Sequence, residues 1–162
     1  MSSPARRLTA SVLVLALLSP LTGLAVGSKK AEYVGGTLSG LGERVEGVFD
    51  TRDENALVFT PDKKKGEPVS IPYASITGLE YGQKAGRRVA VALLVTPWAL
   101  FSKKRKHFLT ISFTDAAGKE QAAVFEIGKS IIRTSLTVVE TRSGKPIEYQ
   151  DDEARKAGRG GL

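Results

Sequence analysis

From Arg44 onward, apolar residues come in short runs separated by polar turns, the texture of consecutive β-strands. Val45–Phe49, Ala56–Thr60, Pro68–Pro72, Ile76–Tyr81, Phe108–Thr114 and Ala122–Ile127 are each strand-length and rich in β-branched or aromatic residues. Alternation is cleanest over His107–Phe113. There His107, Leu109, Ile111 and Phe113 share one face and Phe108, Thr110 and Ser112 the other, as in a half-buried antiparallel strand. Asp50–Asn55, Asp62–Gly66 and Asp115–Lys119 read as turns, because Asp and Asn side chains hydrogen-bond their own backbone and tolerate tight geometry.

The period changes once. In Lys129–Ser143, Ile132, Leu136 and Val139 fall at helical spacing, Gly144 supplies a C-terminal stop and Pro146 forbids continuation. The Thr and Val content lowers helix propensity and leaves a strand as the alternative. Residues 28–43 read as a Gly-rich lead-in, with Thr37–Leu41 as a short edge strand. Residues 150–162 are polar and are expected to be a disordered tail.

The first 27 residues have the layout of a secretory signal: Arg6 and Arg7, then the apolar Ala10–Leu18, then a small-residue exit from Pro20 to Ala25. Ordinary secretion fits better than twin-arginine export, since Leu8-Thr9-Ala10 is a poor match to the latter. An uncleaved anchor is the alternative, weakened by Pro20 and Gly23. The expected location is therefore exported, in the periplasm or envelope of a bacterium. The absence of cysteine from the chain excludes disulfides, lipid-modified thiols and thiol chemistry.

Charge matters once it is located. Without Arg6 and Arg7 the balance is +5; Lys84–Lys106 holds seven cations and no acid, which leaves −2 on the rest. That window is also the greasiest part of the body. Val89–Phe101 is a thirteen-residue apolar run clamped by Lys84, Arg87 and Arg88 before it and Lys103, Lys104, Arg105 and Lys106 after it. One basic segment on a near-neutral body predicts a docking patch, where generally distributed basicity would predict nucleic-acid coating. Trp98 and Phe101 beside the cations form an interfacial anchoring pair. The expected partner is an anionic lipid surface or an envelope protein, with no nucleic acid. The alternative buries Arg88–Val95 as the fifth of seven strands, making the chain a structural or protein-interaction domain.

Catalytic chemistry finds little support. His107 is the only histidine and reads as packing or capping within its strand; with no cysteine and no second histidine, neither a cysteine-histidine triad nor a histidine-rich zinc site can be built. Asp50, Asp53 and Glu54 lack the spacing of a calcium loop and read as a solvated turn, and Gly128-Lys129-Ser130 lacks the earlier glycine of a phosphate-binding loop because position 123 is Ala123. No catalytic residue, metal or cofactor is expected; a carboxylate- or metal-dependent envelope enzyme is the minor alternative.

Antiparallel strands closed by one C-terminal amphipathic helix resemble the pleckstrin-homology-like fold, including its GRAM-like bacterial relatives. The phrase Ile71-Pro72-Tyr73-Ala74-Ser75-Ile76-Thr77-Gly78-Leu79-Glu80 is similar to the step between middle strands in that superfamily. The stretches Tyr33–Thr37, His107–Leu109 and Ser143–Lys145 resemble a group of uncharacterised exported bacterial proteins. The resemblance covers about Arg44 to Tyr149. It implies a single, mainly β domain over residues 44–149: a half-open antiparallel barrel of six or seven strands with one C-terminal helix. Taking Asp50–Asn55 as the loop between the first two strands, its three acids depart from the basic loop of inositol-lipid-binding relatives, so the resemblance does not carry that site over.

Overall fold

The computed structural model describes residues 29–62, 65–83 and 106–160. Eight strands form one curled sheet: β1 (Lys29–Gly36), β2 (Val45–Asp50), β3 (Ala56–Pro61), β4 (Val69–Pro72), β5 (Ile76–Gly82), β6 (Phe108–Thr114), β7 (Glu120–Ile127) and β8 (Ile147–Tyr149). Their order across the sheet is β4-β3-β2-β1-β7-β6-β5-β8. Every pairing is antiparallel except β5 with β8. Two helices follow, α1 (Ile132–Ser143) and α2 (Asp152–Arg159). The mainly β half-barrel implied by the family resemblance is the observed fold, with one more strand and one more helix than expected.

The six strands read from alternation form where expected, because each carries its own apolar face. On β6 the core takes Leu109, Ile111 and Phe113; on β7 it takes Ala123, Phe125 and Ile127. Gly47 on β2 lets strand β3 come close, since a Cβ there would meet Thr60 O at 2.4 Å and the Phe59 ring at 2.7 Å. Phe125 is the hub of an aromatic group, with ring centroids 5.7 Å from Tyr33, 5.2 Å from Phe49 and 5.2 Å from Phe59.

Helix α1 ends as predicted, with Gly144 in the left-handed region at φ 65° and its N–H donating to Glu140 O. It begins three residues later than the pattern implied. Gly128 O accepts from the N–H groups of Ile131 and Ile132, so Lys129 to Ile131 form a turn leading into the helix. Ile132, Leu136 and Val139 are buried in the core, while Arg142 reaches across to the β2–β3 connection and donates to the carbonyls of Thr51 and Asp53. Its guanidinium also lies 5.6 Å above the centre of the Tyr73 ring.

Three expectations are corrected. The lead-in contains β1, which sits between β2 and β7 in the middle of the sheet, and residues 37–41 form a turn region instead of an edge strand. Lys29-Lys30 and Gly35-Gly36 disguise that strand, whose alternation survives only in the core residues Ala31 and Tyr33. The polar tail contains helix α2. Asp151 caps α2 by accepting from Ala154 N–H, Asp152 and Glu153 stand in its first turn, and Lys156 and Arg159 in its last. Because the α2 face that packs consists of Ala154 and Gly158, the helix shows no large apolar residue. Finally, with β1 in place the first inter-strand loop is residues 37–44. Asp50–Asn55 joins the second and third strands, so it is not the expected loop between the first two strands.

Candidate functional site

The basic-apolar-basic segment leaves the sheet from one hairpin. β5 and β6 are paired to their ends, with Gly82 opposite Phe108, so the chain exits after Gly82 and returns at the neighbouring strand. Of the nine predicted binding residues, Lys84, Arg87, Arg88, Trp98, Phe101, Lys103, Lys104 and Arg105 lie outside the described residues, as does Arg88–Val95 as a candidate strand. The described sheet reaches its strand count through β1 and without residues 84–105. The signal assigned to residues 1–27 also lies outside the described residues.

Lys106 is described, and it faces inward to the body. Its Nζ donates to Glu126 Oε2 on β7 at 2.6 Å, with both side chains about three-quarters buried. It therefore tethers the returning end of the segment to the sheet, a role different from the expected lipid contact. Sequence spacing did not reveal Glu126 as its partner, because only the β6–β7 register, which sets Phe108 opposite Glu126, brings them together.

The next residue is held as firmly. His107 Nδ1 lies 2.6 Å from the Tyr81 hydroxyl, and the two rings stack at 6.1 Å with an interplanar angle of 15°. Burial, reinforced by the nearby Lys129 and Arg133 charges, holds the His107 imidazole below its ordinary value. Burial pushes the Tyr81 phenol up to about 12. The neutral imidazole and the phenol share one hydrogen bond, whose donor is set by the tautomer of His107. Tyr81 in turn packs edge-on against Tyr149 at 5.8 Å, and Arg159 lies 5.4 Å above the Tyr149 ring. Gln150 N–H donates to Tyr81 O at 3.1 Å, linking the end of β5 to the chain beyond β8.

The other candidate polar groups are engaged in structure. Asp50 accepts from Arg52 Nε and from the Arg52 backbone, and this hydrogen bonding holds its carboxyl below the ordinary range. Asp53 accepts from the N–H groups of Asn55 and Ala56, the side-chain turn its position predicted. Among the described residues, no three His, Asp or Glu side chains are placed to hold a metal ion. None of the described helices is long and apolar enough to cross a membrane. The arrangement at the β5–β6 hairpin is a braced base for an insertion.

No family model matches this chain, and no curated protein matches it. Among solved structures, the Spt16D Pob3N heterodimer contains a chain similar to this one at a TM-score of 0.43 and 12% identity, covering 77% of this chain and 55% of that one. The chain thus spans about half the length of that structural neighbour.

Proposed function

We propose that this chain is an exported, non-catalytic binding module of the bacterial periplasm or envelope that docks reversibly on an anionic membrane surface through Lys84–Arg105. Trp98 and Phe101 insert as apolar anchors, and Arg87, Arg88, Lys103, Lys104 and Arg105 form the electrostatic collar. The observation that carries this reading is the pairing of β5 with β6 as far as Gly82 and Phe108, which sets the two ends of the cationic, apolar segment side by side at one end of the described sheet. Lys106 and His107, braced by Glu126 and Tyr81, give that segment a fixed base. Each cation near an anionic surface contributes about 1 kcal/mol and each buried large side chain about 1.5–3 kcal/mol, before the cost of association. Two weak signals together hold a protein where either alone does not.

Titration with anionic vesicles, with neutral vesicles as control, tests the proposal. Trp98 is the only tryptophan, so its fluorescence reports directly on insertion. A blue shift on anionic vesicles, weakening with salt, is expected. Trp98→Ala and the triple change of Lys103, Lys104 and Arg105 to Gln each reduce binding, with Lys106 kept because Glu126 depends on it. A fluorescence signal unmoved by anionic vesicles overturns the lipid reading and makes an envelope protein the better partner. Export is checked separately, by the N-terminal mass of protein recovered from the producing cell.

A further inference from the structure

The C-terminal helix is lightly attached. At eight residues α2 is too short to hold its shape in water without packing, yet it buries only Ala154 and Gly158. Gly158 seats it against three side chains: a Cβ there would come 2.8 Å from the Tyr149 ring, 3.1 Å from Leu136 and 3.2 Å from the Tyr81 ring. Two cations supply its polar contacts. Arg133 on α1 donates from Nε to Ala157 O at 3.2 Å, one of the carbonyls left open at the end of α2. Arg159 donates to the Tyr149 hydroxyl at 3.3 Å and lies 3.6 Å from Glu140.

These attachments meet around His107. Its ring stacks on Tyr81 and shares a hydrogen bond with the Tyr81 hydroxyl, and Tyr81 touches both Tyr149 and the seat of Gly158. Among the described residues, the charged groups that face the imidazole are Lys129 in the turn before α1, Arg133 on α1 and Glu126 on β7. The two cations disfavour a charged ring. Glu126 favours one, but it is already joined to Lys106 at 2.6 Å.

We infer that His107 is a pH-sensitive latch on the C-terminal helix. With the imidazole neutral, Arg133 stays on Ala157 O and Tyr81 stays against Gly158. Protonation leaves the bond to Tyr81 in place, because either atom can donate, so the switch acts through charge. It sets a third cation beside Lys129 and Arg133. The exposed Arg133 then turns to solvent, the end of α2 loses its bond, and β8 and α2 loosen from β5 while the rest of the sheet stays folded. Burial, and then Lys129 and Arg133, already hold the imidazole below its ordinary value, which fixes the sign: the latch is closed at neutral pH and opens as pH falls through the folded value. It operates whatever partner the docking segment takes.

Because His107 is the only histidine, one ring signal reports its titration by NMR in the full chain, and hydrogen exchange in low urea reports the helix. The Ala154–Gly160 amides should exchange through a local opening nearly independent of urea, unlike the core amides of β6 and β7. Between about pH 7.5 and about pH 5, where carboxylates stay ionised, their protection should fall roughly tenfold with the midpoint of the His107 titration. His107→Gln should abolish that fall. Linkage demands the reciprocal effect: Gly158→Ala, which displaces α2, should move the His107 midpoint up toward its ordinary value. Protection of α2 that is level across the titration, a fall that persists in His107→Gln, or exchange of α2 only with the urea slope of the core would each overturn the latch. So would a His107 midpoint unmoved in Gly158→Ala, which keeps the test decisive if His107→Gln does not fold.

Discussion

The two ends of this half-barrel are filled by different chemistry. Between β1, β2, β3 and β7, the interior is a cluster of rings supplied by the strands themselves: Tyr33, Phe49, Phe59 and Phe125. Near β5 and β8 the strands cannot close the interior, and α1 and α2 complete it with Ile132, Leu136, Val139 and Ala154. That second end has a polar fringe, in which His107 bonds Tyr81, Arg159 lies over Tyr149 and approaches Glu140, and Glu140 accepts from Ile147 N–H. A ring-filled interior is held by shape, and burial pushes the phenol of its one titratable ring, Tyr33, above the ordinary value, so that ring stays neutral at and below neutral pH. A helix-closed one is held partly by hydrogen bonds and charges and responds to solution conditions. The proposed docking segment springs from the responsive end.

The largest effect expected is at the ring-filled end. Phe125→Ala removes a fully buried ring in contact with three others and should cost about 3–5 kcal/mol in urea denaturation, with the loss unchanged across the pH range where the parent is folded. A cost that varied with pH would break the distinction between the two ends.

At the helix-closed end, Gly158→Ala places a Cβ 2.8 Å from the Tyr149 ring and 3.1 Å from Leu136. The helix must then move off the sheet, at roughly 1–3 kcal/mol. Hydrogen exchange should show the protection loss confined to α2 and β8. Global loss of protection would mean that α2 is part of the central folding unit.

Arg142→Ala tests the link between the ends, since α1 spans from the helix-closed side to the β2–β3 connection. Losing the two hydrogen bonds to the Thr51 and Asp53 carbonyls should cost about 1–2 kcal/mol by thermal denaturation, and Arg142→Lys should recover only part of it, because one ammonium cannot reproduce the fork of donors and the ring contact.

The smallest effect is a pH step. His107 has its folded-state value lowered, so the folded protein favours the neutral imidazole. The stability this adds is present above the ordinary histidine value of 6.5 and is lost as pH falls below it toward the folded value. Asp50 and Asp115, also lowered when folded, lose their contributions further down, below 3.8. Melting temperature should therefore show a shallow first decline below pH 6.5, absent in His107→Gln, before the carboxylate-driven fall. Persistence of the first decline in His107→Gln would assign it elsewhere.

The same contrast governs what could be read from the residues. Six strands and α1 were legible because their signals are local: an apolar residue every second position, as in Leu109, Ile111 and Phe113, or at helical spacing, as in Ile132, Leu136 and Val139. The turn chemistry of Asp53 and the stop at Gly144 were equally local. The sequence by itself also determined that cations and apolar residues are concentrated between Lys84 and Lys106. Tertiary structure decided the rest. β1 is central because β2 and β7 flank it, a relation that no property of Lys29–Gly36 encodes alone. The three residues of β8 become a strand only because α1 carries the chain back to lie parallel to β5. α2 packs through Ala154 and Gly158, whose small size signals nothing until Tyr149 and Leu136 stand opposite. The partners of Lys106 and His107 follow from the pairings of β6 with β7 and with β5. Register joins residues distant in the chain, and its energy comes from the whole sheet burying one face at once.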